Sequence, residues 1–219
     1  PVWSHGDTRI IYMVDQTHYD MLSRDWQATG PEEPLLVGDD DDIPGELSPD
    51  GRVLAFYREA AGTARDIWTM PVDRGQAEVF RATNANEWNP AFAPDGRWIA
   101  YASDESGQYE IWLQSYPDTS GARLPITTGG GQGPRWGTGG ELFYHDEDRM
   151  MSVQVDLATG SPGSPQVVFE GPYRYGNRNY DVTADGRRFL MVKPRTNEEG
   201  REVVVVLNWF DVLTRQMEN

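Results

Sequence analysis

Ser48-Pro49-Asp50-Gly51-Arg52-Val53-Leu54-Ala55-Phe56-Tyr57, followed after a polar interval by Asp66-Ile67-Trp68-Thr69-Met70, decides how this chain folds. The pattern returns as Ala93-Pro94-Asp95-Gly96-Arg97-Trp98-Ile99-Ala100-Tyr101, with Glu110-Ile111-Trp112-Leu113 in the matching place. Proline presets φ and glycine accepts positive φ, so Pro-Asp-Gly reverses the chain tightly. The aromatic and branched runs on either side read as strands. Gly51 to Gly96 is 45 residues and Trp68 to Trp112 is 44. A plainer strand closes each unit, as in Glu78-Val79-Phe80 or Leu124-Pro125-Ile126. Four short strands repeated at this period predict sheets packed face to face around an axis, the β-propeller arrangement.

Three weaker copies follow the same rhythm. They are Trp3-Ser4-His5-Gly6-Asp7-Thr8-Arg9-Ile10-Ile11-Tyr12, Gly137-Thr138-Gly139-Gly140-Glu141-Leu142-Phe143-Tyr144 and Thr183-Ala184-Asp185-Gly186-Arg187-Arg188-Phe189-Leu190. The residue after each turn falls at Arg9, Arg52, Arg97, Glu141 and Arg187, at gaps of 43, 45, 44 and 46. The expectation is an all-β propeller of about five four-stranded antiparallel blades in one domain, 1–219. Its units run near 1–41, 42–86, 87–130, 131–176 and 177–219. The last unit offers strands at 179–182, 189–192 and 203–209 and no obvious fourth, so the last blade is expected to be incomplete. An uncovered strand edge invites pairing, and a homodimer or other partner contact is expected there. The start at Pro1-Val2-Trp3-Ser4, aligned with Pro90-Ala91-Phe92-Ala93 and without a leader-like run, is expected of a processed chain or a piece of a longer one.

The repeat resembles the WD40-like (PD40) repeat of TolB-type propellers, closely at 48–57 and 93–101 and loosely in the other units. The run Val203-Val204-Val205-Val206-Leu207-Asn208-Trp209-Phe210-Asp211 is similar to the end of the propeller carried by many bacterial serine/threonine protein kinases. No Gly-rich phosphate loop, His-Arg-Asp or Asp-Phe-Gly accompanies it. The resemblance therefore implies a bacterial sensor or interaction propeller without the kinase catalyst. It would be extracytoplasmic if carried by a membrane-anchored kinase.

Composition narrows the partners. A formal net charge of −16 disfavours nucleic acid and anionic membrane surfaces and favours solubility. No run approaches the roughly 20 apolar residues of a membrane helix. With no cysteine, disulfides and thiolate metal sites are excluded. The eight tryptophans, ten tyrosines and seven phenylalanines suit flat contacts between blades. The 23 glycines and 15 prolines sit largely at repeated turns, which argues for a turn-rich β fold rather than disorder.

Aligned on the turns, the residues that enter the channel mouth form columns. The first is Asp42, Glu87, Gly131 and Asn177; the next is Ile43, Trp88, Gln132 and Arg178; the third is Pro44, Asn89, Gly133 and Asn179. Trp88, Asn89, Gln132, Arg178 and Asn179 are candidate contacts for a small-molecule or protein ligand. Trp88 serves equally as inter-blade packing, and Arg178 as a neutraliser of the nearby aspartates. Asp39-Asp40-Asp41-Asp42 enters the same mouth. Asp41, Asp42 and Glu87 are candidate oxygen ligands for a divalent ion (calcium, magnesium, manganese or zinc), the alternative being a solvated loop. His18 and His145 fall beside loops on that face. With Glu87 they are the candidates for general acid–base chemistry in a metal-assisted phosphoester or glycoside hydrolase, against the plain reading of two structural histidines. Gly-x-Ser-x-Gly and His-Glu-x-x-His are both absent, so no enzyme signature supports that alternative.

Overall fold

The computed structural model describes residues 1–4, 8–15, 17–27, 31–60, 64–73, 75–174 and 179–193, together with the backbone of 202–207. The Pro-Asp-Gly turns close as their chemistry dictates. Gly51 N–H donates to Ser48 O at 2.7 Å, Gly51 has φ +71°, and the Asp50 carboxylate accepts from Arg52 N–H. Gly96 and Gly186 repeat this with φ of +70° and +69° and bonds back to Ala93 O and Thr183 O. In the fourth unit a short 3-10 turn, Thr138–Gly140, does the same work, with Gly139 and Gly140 both at positive φ.

Blade 1 comprises β1 (Val2–Trp3), β2 (Arg9–Asp15), β3 (Tyr19–Asp25) and β4 (Glu33–Leu36). Blade 2 comprises β5 (Asp41–Leu47), β6 (Val53–Glu59), β7 (Arg65–Pro71) and β8 (Glu78–Arg81). Blade 3 follows with β9 (Glu87–Phe92), β10 (Trp98–Ser103), β11 (Glu110–Ser115) and β12 (Arg123–Pro125). Blade 4 has β13 (Gln132–Trp136), β14 (Glu141–Asp146) and β15 (Arg149–Asp156). The outer edge of β15 is shared by β16 (Ser161–Pro162) and β17 (Gln166–Glu170). Blade 5 is β18 (Tyr180–Val182), β19 (Arg188–Lys193) and β20 (Glu202–Leu207). Every pairing is antiparallel and joins strands adjacent in sequence, except that β17 also pairs with β15, and among the described residues no fourth strand covers β20.

The two faces of each strand serve two neighbours, because side chains alternate with a period of two. Leu54, Phe56 and Met70 turn towards blade 1 and meet Val2, Ile11 and Met21. The intervening Ala55 and Ile67 turn the other way and meet Phe92, Ile99 and Tyr101 of blade 3. Ala91, Ala100, Ile111 and Leu113 pack on Trp136, Leu142, Tyr144 and Val153 of blade 4. Phe143 and Met150 then pack on Tyr180, Phe189 and Met191 of blade 5. The four junctions between successive blades are thus filled by buried apolar side chains, each large one worth about 1.5–3 kcal/mol on burial. Among the described residues no such cluster joins blade 5 to blade 1. There Trp3 and Leu190 are 50% and 43% exposed, with Trp3 set edge-on to the equally open Trp26.

The first strands carry a second repeated device. The register of β5, β9 and β13 against its neighbour slips at Pro44/Glu46, Trp88/Ala91 and Gln132/Arg135. These bulges coincide with Pro44-Gly45, Asn89-Pro90 and Gly133-Pro134, where proline removes a ladder donor and Asn89 and Gly133 adopt φ of +53° and +62°. A side chain on Gly45 would lie 2.3 Å from Ala55 O and 2.7 Å from Pro90 Cγ, so glycine lets blades 2 and 3 approach closely.

Candidate functional site

The expected mouth residues sit at the entries of the first strands. Asp41 and Asp42 open β5; Glu87, Trp88 and Asn89 open β9; Gln132 opens β13, and Asn179 immediately precedes β18. His18 lies in the turn between β2 and β3, and His145 near the end of β14, opposite Gln132. Arg178 and Asn177 fall outside the described residues.

Each acid is engaged by neighbouring groups of the protein. Asp42 is 1% exposed and takes a bidentate pair from Arg58, with Nε–Oδ1 at 2.7 Å and Nη2–Oδ2 at 3.0 Å. The guanidinium also lies 3.6 Å from Asp40 and stacks on Trp68 at 4.5 Å. Burial pushes the Asp42 carboxyl up, while the Arg58 hydrogen bonds and charge pull against it. The same bonds raise Arg58 further. Arg58 therefore neutralises Asp42 and Asp40, while Arg178, the neutraliser expected from the sequence, lies outside the described residues. The signal was present in the strand pairing, since Asp42 and Arg58 stand eight residues either side of Asp50. Asp41 accepts from Tyr19 N–H at 2.9 Å and lies 3.6 Å from His18 Nδ1.

Glu87 is fully buried. Its Oε1 accepts from Thr83 Oγ1 at 2.6 Å and from Ser103 Oγ at 3.4 Å, and its Oε2 has no partner among the described residues. Burial pushes this carboxyl up, against the Thr83 bond. His145 is also buried, edge-on to Tyr180 and under Gly133, and burial lowers it to about 4, so it is neutral at neutral pH. Among the described residues no three His, Asp or Glu side chains come together in a way that could hold a metal ion. The oxygen cluster expected from Asp41, Asp42 and Glu87 is not assembled, because Arg58, His18 and Thr83 engage them separately. Trp88 is a packing residue, set between Tyr109 at 5.3 Å and the Arg65 guanidinium at 5.5 Å. Asn89 is buried at its bulge.

Open space lies instead at the axis. A cavity of about 430 Å³ is lined by Val2 and Trp3 of β1, Glu46 of β5 and Arg135 of β13, closed by Asn179–Asp181 with Leu190 and Val192 of blade 5. First strands of four blades thus meet on it, at the junction between blades 5 and 1. Of the expected ligand residues that the structure describes, only Asn179 lines it. Sequence reasoning missed Glu46, Arg135 and Tyr180, which no turn or motif marks. Tyr180 is fixed by donating its hydroxyl to Gly133 O.

Five sheets packed in chain order through aromatic cores, with a cavity lined by first strands of four of them, define a β-propeller of WD40-like repeats, and its fold is that of TolB. TolB from Acinetobacter baumannii superimposes over 95% of this chain and 51% of its own, with TM-score 0.73 and 15% identity. A structure described as TolB from Agrobacterium tumefaciens matches 95% of this chain and 76% of its own, also at 0.73, with 16% identity. In sequence, an uncharacterized protein of Agrobacterium fabrum is 26% identical over 157 residues, 67% of this chain and 53% of that protein. The chain thus spans about half the length of that relative. No known family profile matches it.

Proposed function

We propose that this chain is a binding propeller that captures its ligand at the axis, in the cavity between blades 5 and 1. The observation that carries this is the convergence of first strands from four blades on one 430 Å³ space, a volume within the usual range for small-molecule sites. The inner wall combines apolar surface (Val2, Trp3, Val192) with a few polar groups, the composition expected of a ligand pocket rather than of a packed core. Asp41, Asp42 and Glu87 are engaged by neighbouring protein groups, so they shape the scaffold around the cavity. The likeness to TolB is one of fold, and the placement of His18, His145 and Glu87 gives the hydrolase alternative no assembled site.

A screen of neutral, cationic and anionic fragments by ligand-observed NMR, mapped by hydrogen exchange, tests this. Protection confined to strands β1, β18 and β19 is the expected result. Fragments that protect only loops at 82–86 and 104–107, or none that bind at all, would overturn it.

A further inference from the structure

Arg135 gives the cavity a chemical preference. It stands on β13 facing blade 5, opposite Phe143 in the register, and is only 8% exposed. Its Nη1 donates to the carbonyl oxygen of Pro134 at 2.9 Å, and no acid lies within ion-pair distance of it among the described residues. A guanidinium carries five N–H donors, and one bond leaves most of that fork unused. Burying an uncompensated charge is costly. Arg58, the partly buried arginine at the mouth, has its carboxylate. Arg135 lines the axial cavity, beside Asn179 and Tyr180.

We infer that Arg135 is the anchor for a carboxylate, and that the axial cavity takes a small monocarboxylate with an apolar body, of N-acyl amino acid size. This deepens the binding function proposed above and rests on it. The planar fork matches a carboxylate in two parallel hydrogen bonds, a geometry that a neutral amide cannot reproduce. Trp3, Val2, Leu190 and Val192 supply the apolar wall for the body of the ligand. Two acids also line the cavity, Glu46 on β5 and Asp181 at the exposed rim, the latter accepting from Val182 N–H at 2.9 Å. Glu46, Asp181 and a chain charge of −16 make the surroundings negative, so a phosphate dianion or polyanion is repelled more strongly than a single carboxylate docked on Arg135.

The test uses N-acetyl-leucine and its primary amide, which differ only at the carboxyl group, titrated by saturation-transfer NMR. The acid is expected to bind at millimolar concentration and the amide at least tenfold more weakly. Arg135→Gln, checked by its melting curve, is expected to abolish the difference. Leu190 is partly exposed and dispensable for the core. Leu190→Glu should therefore fold and weaken the acid by charge repulsion, while Val79→Glu, at an exposed position of β8 that does not line the cavity, leaves it unchanged, so the outcome does not depend on the Arg135 variant folding. Equal binding of acid and amide in the cavity would overturn carboxylate selection and leave the binding function standing. Acid binding indifferent to Arg135→Gln and Leu190→Glu overturns the placement. Failure of the acid to bind, while other fragments protect β1, β18 and β19, removes this inference alone; silence of both probes and of the fragment screen removes both.

Discussion

Replacing Arg58 by leucine isolates the contact that organises the channel mouth. Asp42 is 1% exposed and holds two hydrogen bonds from Arg58, at 2.7 and 3.0 Å. Removing the guanidinium leaves a buried carboxylate without its counter-charge, a change that costs about 3–5 kcal/mol. The stacking on Trp68 at 4.5 Å is lost as well, which adds up to about 1 kcal/mol before leucine recovers some apolar contact. In a domain of this size each kcal/mol moves Tm by about 2–4 °C, so a drop of about 6–20 °C is expected in a neutral-pH thermal melt. The pH dependence has a definite sign. Without Arg58 the folded-state carboxyl rises further above its unfolded value, so the protonated, more stable folded form is lost as pH climbs through that raised value. The deficit is therefore smaller in acid than at neutral pH. Adding Asp42→Asn to Arg58→Leu should restore most of the loss, since an amide buries far more cheaply than a carboxylate. A drop below about 2 °C, the behaviour of a surface pair, or a deficit that grows on acidification, refutes the buried-pair argument.

Glu87→Gln is expected to raise Tm at neutral pH. The Glu87 carboxyl is pushed up by burial, so wild-type stability falls as pH rises from the ordinary carboxylate value through the raised one, and the amide escapes this. Melts from pH 4 to 8 should show the gap between the two proteins closing in acid; a Gln variant less stable at pH 7 contradicts it. For His145, burial holds the folded imidazole near 4, so stability is complete above its unfolded value near 6.5 and is lost as pH falls towards 4, by up to about 1.4 kcal/mol per pH unit. Its NMR signal should not titrate between pH 5.5 and 8, and a midpoint near 6.5 would place it in solvent. Gly45→Ala forces a methyl against Ala55 O and Pro90, and a loss of about 1–3 kcal/mol by urea melt is expected; an unchanged midpoint means blades 2 and 3 can separate at no cost.

Turn chemistry and strand periodicity are local properties, which is why so much of the architecture could be read before any coordinates. Ser48-Pro49-Asp50-Gly51 closes through its own side chains and a positive-φ glycine, whatever surrounds it. Once two such turns lie 45 residues apart, alternating faces leave each sheet two neighbours to pack on, and the propeller follows. The columns of mouth residues were legible for the same reason, since they are counted from the turns. What each residue does there was not. Whether Asp42 is a ligand or a partner depends on Arg58 lying across the ladder, and whether Trp88 stacks on a ligand or a neighbour depends on where Tyr109 and Arg65 sit.

Arg135 is the clearest case of information held only by the tertiary structure. In sequence it is one of many arginines beside a Gly-Pro pair. Its importance arises because a bulge redirects β13, because Phe143 and Tyr180 close the junction to blade 5, and because the next junction stays open around its charge. Local chemistry therefore set the blades and their order. The environment of a charge is a sum over segments far apart in the chain, so the cavity around Arg135 was decided only when those segments came together.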